Sequence, residues 1–243
     1  MCHTGLVWET TVGGRQLHFH LAGINNQNFI MRDEETGSWW QQVSGEAIQG
    51  PLQGQRLRPV FHDELTFGLW KREKPAGRVL RPDDEIARAG KYAPVNWEER
   101  MDKVPVTTSV MLDKSLEPRT LVIGITVDGF AKAYPFDALL KQGLILDELG
   151  GAPVFIVLGD DKRSVRAYDR LVDGRKLEFF LKPNTSPVIM VDAETGSEWD
   201  FTGKATSGSL SGKQLKKLPV LNDYWFDWKT YNPTTAVYDL GNR

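Results

Sequence analysis

The sequence predicts an α+β fold dominated by antiparallel strands, built as two tandem copies of one module, each with a short helix near its C-terminal end. Three observations carry this expectation. Met190-Val-Asp-Ala-Glu-Thr-Gly-Ser-Glu-Trp199 repeats Met31-Arg-Asp-Glu-Glu-Thr-Gly-Ser-Trp-Trp40, and Gly45, Ala47, Gly50, Leu52, Gly54 and Leu57 answer to Gly203, Ala205, Gly208, Leu210, Gly212 and Leu215. Apolar residues alternate with polar ones over short runs, the period of a half-buried strand. Helical stretches are few, short and closed by proline or glycine.

In chain order, residues 6–9 and 15–21 predict a β-hairpin around Gly13-Gly14, with Leu17, Phe19 and Leu21 on the core face. The second copy repeats the device: residues 164–170 lead through Val172-Asp-Gly into Arg175–Leu181, where Leu177, Phe179 and Leu181 hold the same places. Residues 28–33 and 38–42 predict a second hairpin across Glu-Thr-Gly. Asp63 to Lys74 predicts a helix capped by Asp63 and closed by Pro75; its partner runs from Asp223 to Tyr231 and is closed by Pro233. Val79-Leu80 and Val237-Tyr238 close the units as short strands. Residues 121–126 and 130–134 predict a third hairpin, and Phe136–Lys141 a helix stopped by Gly143. Strands over 144–149 and 153–158 follow, joined by Gly150-Gly151. The chain thus divides into a first module, 1–80, incomplete at its N-terminus; a linker, 81–119, rich in charge and proline; and a second, complete module, 120–243.

The first copy has no counterpart of residues 121 to about 160, and Met1 aligns near Asp161. If both modules close their sheets with the same strands, the natural chain begins roughly 40 or more residues upstream.

Composition narrows the function classes. A net charge of −2 offers no broad field for nucleic acid. The longest apolar runs are strand-length, too short for a membrane span. The single cysteine, Cys2, excludes an intrachain disulfide. No Walker loop, dinucleotide fingerprint, zinc-protease motif or nucleophile elbow is present.

The run Leu121-Val-Ile-Gly-Ile-Thr-Val-Asp-Gly-Phe-Ala-Lys-Ala-Tyr-Pro135, then Asp147-Glu-Leu-Gly-Gly-Ala-Pro-Val154, then Asp192-x-x-Thr-Gly-Ser-x-Trp199, resembles the prokaryotic family known as domain of unknown function 3179. Cys2-His-Thr-Gly5 and Gly45-Glu-Ala-Ile-x-Gly-Pro51 extend the resemblance into the first copy. The resemblance implies no established activity. It implies relatives that often look exported, and a Cys-x-x-Cys pattern of which this chain shows one cysteine.

All four histidines and the sole cysteine lie in the first copy. His18 and His20 are two apart on a strand and share the face opposite the core. With Cys2 and His3, whose following strand is expected to pair with theirs, they form a candidate site for copper or zinc. Asp33, Glu35, Asp192 and Glu194 flank the Thr-Gly turns and are read as turn acceptors. Glu46 is a candidate ligand or base, because its counterpart is Lys204. Trp40, Trp199, Trp70 and Trp228 are expected to pack as core, whereas Trp39, Trp97 and Trp225 have no obvious core phase. The expected function is a noncatalytic binding or structural module, with a small ligand or protein as partner. The alternatives are a metal- or thiol-dependent redox accessory protein and a carbohydrate or small-ligand binder using exposed tryptophans.

Overall fold

The computed structural model describes residues 4–239 apart from 26, 82, 89, 91–93, 95 and 107–113. In the leading half, β1 (Thr11–Val12) and β2 (Arg15–Gln16) form a small ribbon around Gly13 and Gly14, both at positive φ. That turn suits the right-handed twist of its strands. Then β3 (Phe19–Asn25), β4 (Asn28–Asp33), β5 (Trp39–Gln41) and β6 (Ala47–Gln49) make a four-stranded antiparallel sheet in chain order. Three short helices follow: α1 (Phe67–Glu73), α2 (Asp84–Arg88) and α3 (Trp97–Asp102).

The trailing half contributes β7 (Leu121–Val127), β8 (Phe130–Pro135), α4 (Phe136–Gln142), β9 (Leu144–Leu149), β10 (Ala152–Leu158) and β11 (Val165–Asp169). A ribbon of β12 (Leu171–Val172) and β13 (Arg175–Lys176) turns at Asp173-Gly174, again at positive φ. After it come β14 (Phe179–Leu181), β15 (Ile189–Asp192), β16 (Glu198–Asp200) and β17 (Ala205–Ser207), a sheet in the same order as β3 to β6. β18 (Lys217–Leu218), β19 (Leu221–Tyr224), α5 (Trp225–Tyr231) and β20 (Ala236–Val237) complete the chain. Two more sheets run β18-β11-β10-β9 and β19-β7-β8-β20, and among the described residues only the β20–β8 pair is parallel.

The β3–β6 and β14–β17 sheets share register as well as order. Met31 pairs with Trp40 and Met190 with Trp199; Trp40 pairs with Ala47 and Trp199 with Ala205, with a register shift at the same place in each. The cause lies in the repeated sequence. Asp33 accepts hydrogen bonds from the Thr36 N–H (2.6 Å), the Thr36 hydroxyl (2.8 Å) and the Trp40 indole (2.8 Å). Asp192 accepts the same three from Thr195 and Trp199 at 2.6, 2.8 and 2.9 Å. Burial alone would raise the Asp33 carboxyl; hydrogen bonds from Trp40, Thr36 and Ser38 outweigh it and hold that carboxyl below its usual range. Ser38 and Ser197 each accept a backbone N–H, from Leu52 and Leu210, at 3.1 Å. The chain passes so close there that a Cβ on Gly50 or Gly208 would sit 2.7 or 2.6 Å from the serine Cα. Both turns thus use the carboxylate as an acceptor hub, which is why Trp40 and Trp199 bury fully without stranding a donor.

Several expectations need correction. Among the described residues, 6–9 do not pair with 15–21: Trp8 bridges Pro59, and the hairpin around Gly13-Gly14 is formed by 11–12 with 15–16, extended by the Leu17 N–H to Thr10 carbonyl bond (2.7 Å). The strand after Cys2 and His3 therefore does not pair with the strand of His18 and His20. Leu21 is 62% exposed, because β3 outruns the core that Leu17 and Phe19 reach. The first helix begins at Phe67, capped by the Thr66 hydroxyl instead of Asp63. The last begins at Trp225, because residues 221–224 pair with β7. Val79-Leu80 is not a strand, whereas Val237, its expected counterpart, pairs with β8.

Candidate functional site: an open sheet face and a buried carboxyl pair

In the trailing half, β11 lies between β18 and β10. Tyr168 pairs with Lys217, and the Asp169 N–H donates to the Lys216 carbonyl at 2.9 Å. The leading half builds the same strand pair: Trp8 bridges Pro59, and the Glu9 N–H donates to the Arg58 carbonyl at 2.9 Å. The surroundings differ. Ala167, Val165 and Leu218 are sealed beneath an aliphatic core with Ile123, Ile125, Ile145 and Ile156. Val7 and Phe61, on the leading strand pair, are 44% and 49% exposed. They and Val60 face Gly124, Leu221 and Trp228 across a mainly apolar cleft of ≈ 610 Å³. Arg56, Ser44, His62, Thr126, Tyr231 and Asn232 supply its polar groups. Gly124 matters to its shape: a Cβ there would lie 2.1 Å from the Trp228 ring, so only glycine lets the indole lie on β7.

Beside the cleft, α5 carries a second feature. Asp223, Asp227 and Asn28 are each 0% exposed. Asn28 Nδ2 donates to Asp227 Oδ2 at 3.0 Å, and Asp223 Oδ1 accepts the Tyr224 N–H at 2.7 Å. Asp223 Oδ2, Asp227 Oδ1 and Asn28 Oδ1 are buried with no hydrogen-bond partner among the described residues. As two carboxylates the aspartates can only accept, so neither satisfies the other. One shared proton makes a donor and joins them. Burial first, and then the charge of Asp227, push Asp223 well above the carboxylate range. Burial pushes Asp227 up to about 6 against the hydrogen bonds from Asn28 and Asp223.

The other helix shows what this position holds when packing alone decides. Aligned on Trp70-Lys71 and Trp228-Lys229, Leu69 stands in the place of Asp227 and Leu65 in that of Asp223. Leu69 is buried in the trailing core, and Leu65 packs against it. A desolvated acid pair in place of two leucines is costly. The sequence reading missed Asp223 and Asp227 by treating the first as the start of a helix; the leucines at the aligned positions of the other helix were the signal available.

The halves are latched at α1. Arg166, 3% exposed at its side chain, bonds Glu73 Oε1 and Oε2 at 2.7 Å each and Asp63 Oδ2 at 2.8 Å. Thr66 bonds Asp161 through its hydroxyl at 2.6 Å, and its N–H donates to the Ser164 hydroxyl at 3.0 Å.

Of the expected site residues, Cys2 and His3 lie outside the described residues. His18 and His20 are both exposed, His20 in β3 and His18 just before it. Glu35 takes the His18 N–H at 2.9 Å and its Nδ1 at 2.6 Å. Hydrogen bonding and charge from Glu35 raise the imidazole's pKa. Glu194 takes the Glu178 N–H in the same way, so this carboxylate serves the turn in both halves. Among the described residues, no three His, Cys, Asp or Glu side chains gather closely enough to hold a metal. Glu46 pairs with Arg56. None of the eight tryptophans is exposed: Trp225 is fully buried, and Trp39 and Trp97 are half-buried. That removes the exposed indole platform expected of Trp225. Among the described residues no helix is long and apolar enough to cross a membrane.

A family model described as "Protein of unknown function (DUF3179)" matches residues 1–235. The chain belongs to this family. No curated protein and no solved structure matches it. In this DUF3179 chain the match runs through the open strand pair, the cleft and the carboxyl pair alike.

Proposed function

We propose that this DUF3179 protein is a noncatalytic binding module built from a duplicated unit, with the binding face in its leading half. The observation that carries the reading is the strand pair of residues 7–9 and 58–60. Its counterpart in the trailing half is buried under an aliphatic core, whereas here Val7 and Phe61 stay exposed along a cleft of ≈ 610 Å³. Support for the duplication comes from the shared sheet order, registers and aspartate-centred turns. A pocket of this size, apolar with a few polar groups at its margin, suits a predominantly apolar guest.

The test is titration with 8-anilinonaphthalene-1-sulfonate, whose emission rises on entering apolar surroundings. Saturable binding is expected at one site per chain. Val7→Asp, at a half-exposed position, is expected to weaken it by roughly tenfold or more, since a carboxylate in the wall loses hydration to the guest. Circular dichroism would check that the variant is folded. Absence of saturable emission from the wild-type protein would refute the proposal.

A further inference from the structure

We propose that His62 is a protonation-operated clamp across the leading strand pair, tying residue 5 to residues 60–62 while its ring carries two N–H groups. The inference concerns the chain without a guest and does not rest on the binding reading above. Its basis is a ring set between two acceptors. His62 Nε2 lies 2.9 Å from the Gly5 carbonyl oxygen, and Nδ1 lies 3.1 Å from the Val60 carbonyl oxygen. Both oxygens can only accept. A neutral imidazole has one N–H, so one of the two contacts then sets a nitrogen lone pair against a carbonyl oxygen. The imidazolium donates to both, and each bond becomes charge-assisted. The ring is half-buried, which limits the water that could relieve the mismatch.

The clamp continues a backbone ladder. Glu9 N–H donates to the Arg58 carbonyl and Val60 N–H to the Val7 carbonyl, each at 2.9 Å, and Trp8 bridges Pro59. In that register residue 5 comes opposite residue 62, and the Gly5 carbonyl turns to the same side as that of Val7. A regular ladder would place the His62 backbone N–H there; the ring Nε2 reaches the Gly5 oxygen instead. The trailing half has no such device. Aligned on Leu57 and Leu215, His62 stands where Val220 does.

The charges around the ring offset one another. Asp63 and Glu64 on its own segment, Arg166 on β11 and Lys217 on β18 line the small enclosed space beside it. Asp63 is held by Arg166 at 2.8 Å and Lys217 at 2.7 Å, and Glu64 by Asn222. On the cleft side Arg56 pairs with Glu46, and the Tyr231 hydroxyl accepts the Gln41 amide. The two carbonyls therefore decide which form of the ring fits.

Two measurements on the full chain, free of guest, test the clamp. Nitrogen-15 NMR of the imidazole reads its protonation. Amide hydrogen exchange, corrected for its intrinsic pH dependence, reads the pairing at Val60. At about pH 5.5, on the acid side of the imidazole range, both ring nitrogens of His62 are expected to carry a proton; at about pH 8 only one is. Protection of the Val60 amide is expected to fall at least ~5-fold between the two. His62→Gln has no titrating ring and is expected to change by less than ~2-fold. Comparing the two chains removes what other titrating groups, Asp227 among them, contribute to the whole fold. Equal protection of wild-type Val60 at the two pH values, or the same fall in the glutamine variant, overturns the proposal. So does a His62 ring with a single proton at about pH 5.5, a result that needs no variant.

Discussion

Replacing Arg166 with methionine is expected to lower stability by about 3–5 kcal/mol in urea unfolding, the range for stripping one partner from a buried ionic group. The guanidinium is almost fully buried and serves Glu73 and Asp63 together. Burial disfavours the charged form of Asp63, and the bonds from Arg166 and Lys217 reverse that, holding its carboxyl below the usual range. Methionine keeps the aliphatic stem as far as the place of Nε, and leaves Glu73 without this cation and Asp63 with Lys217 (2.7 Å). The loss should come from uncompensated charge more than from a cavity, so adding Asp63→Asn and Glu73→Gln is expected to recover more than half of it. A loss below about 1 kcal/mol for the single variant would show that the latch contributes little. Glu73 belongs to α1 and Arg166 to β11, so the result also reports how firmly the two halves are held together.

The second large effect is one of pH. Asp227→Asn is expected to flatten a stability loss that the wild-type protein shows between about pH 4 and pH 7. In the folded protein burial holds the Asp227 proton up to about 6, against an ordinary value of 3.8. The folded state therefore binds this proton more tightly than the unfolded chain does. Its contribution is complete below the ordinary value and is lost as pH rises through about 6. Across that interval the wild-type protein should lose roughly 3 kcal/mol relative to the asparagine variant. Asp223, which burial and its neighbour's charge push well above its ordinary value, acts in the same sense. Carboxylates held low, such as Asp33, Asp63 and Asp161, act in the opposite sense in more acid solution. Comparing the two proteins at each pH removes their share. Parallel stability curves from pH 4 to 7 would contradict the shared-proton account.

These features differ in how far the sequence exposes them. Local chemistry was legible: Gly13-Gly14 and Asp173-Gly174 turn as their residue types require, and Gly143 ends α4 at positive φ. The repeated aspartate, threonine and tryptophan foretold one turn used twice, because every bond in it spans seven residues or fewer. Long-range pairing was not legible. Nothing near Trp8 says that its partner is Pro59, and nothing in Val79-Leu80 sets it apart from Val237-Tyr238, of which Val237 pairs with β8. The carboxyl pair was hidden for a related reason. An aspartate before a helix reads as a cap, and only the contact with Asn28, 199 residues away, makes Asp227 an interface group. Leu65 and Leu69, set beside Asp223 and Asp227, held that information in the sequence.

Amide hydrogen exchange on the free protein tests the claim that one half presents uncovered what the other half seals. The amides of Arg166, Tyr168 and Arg170 face β10, and those of Leu6, Trp8 and Thr10 face no described strand. The account predicts that the leading three exchange at least ~100-fold faster than the trailing three. Equal protection at the two sets of positions would contradict it.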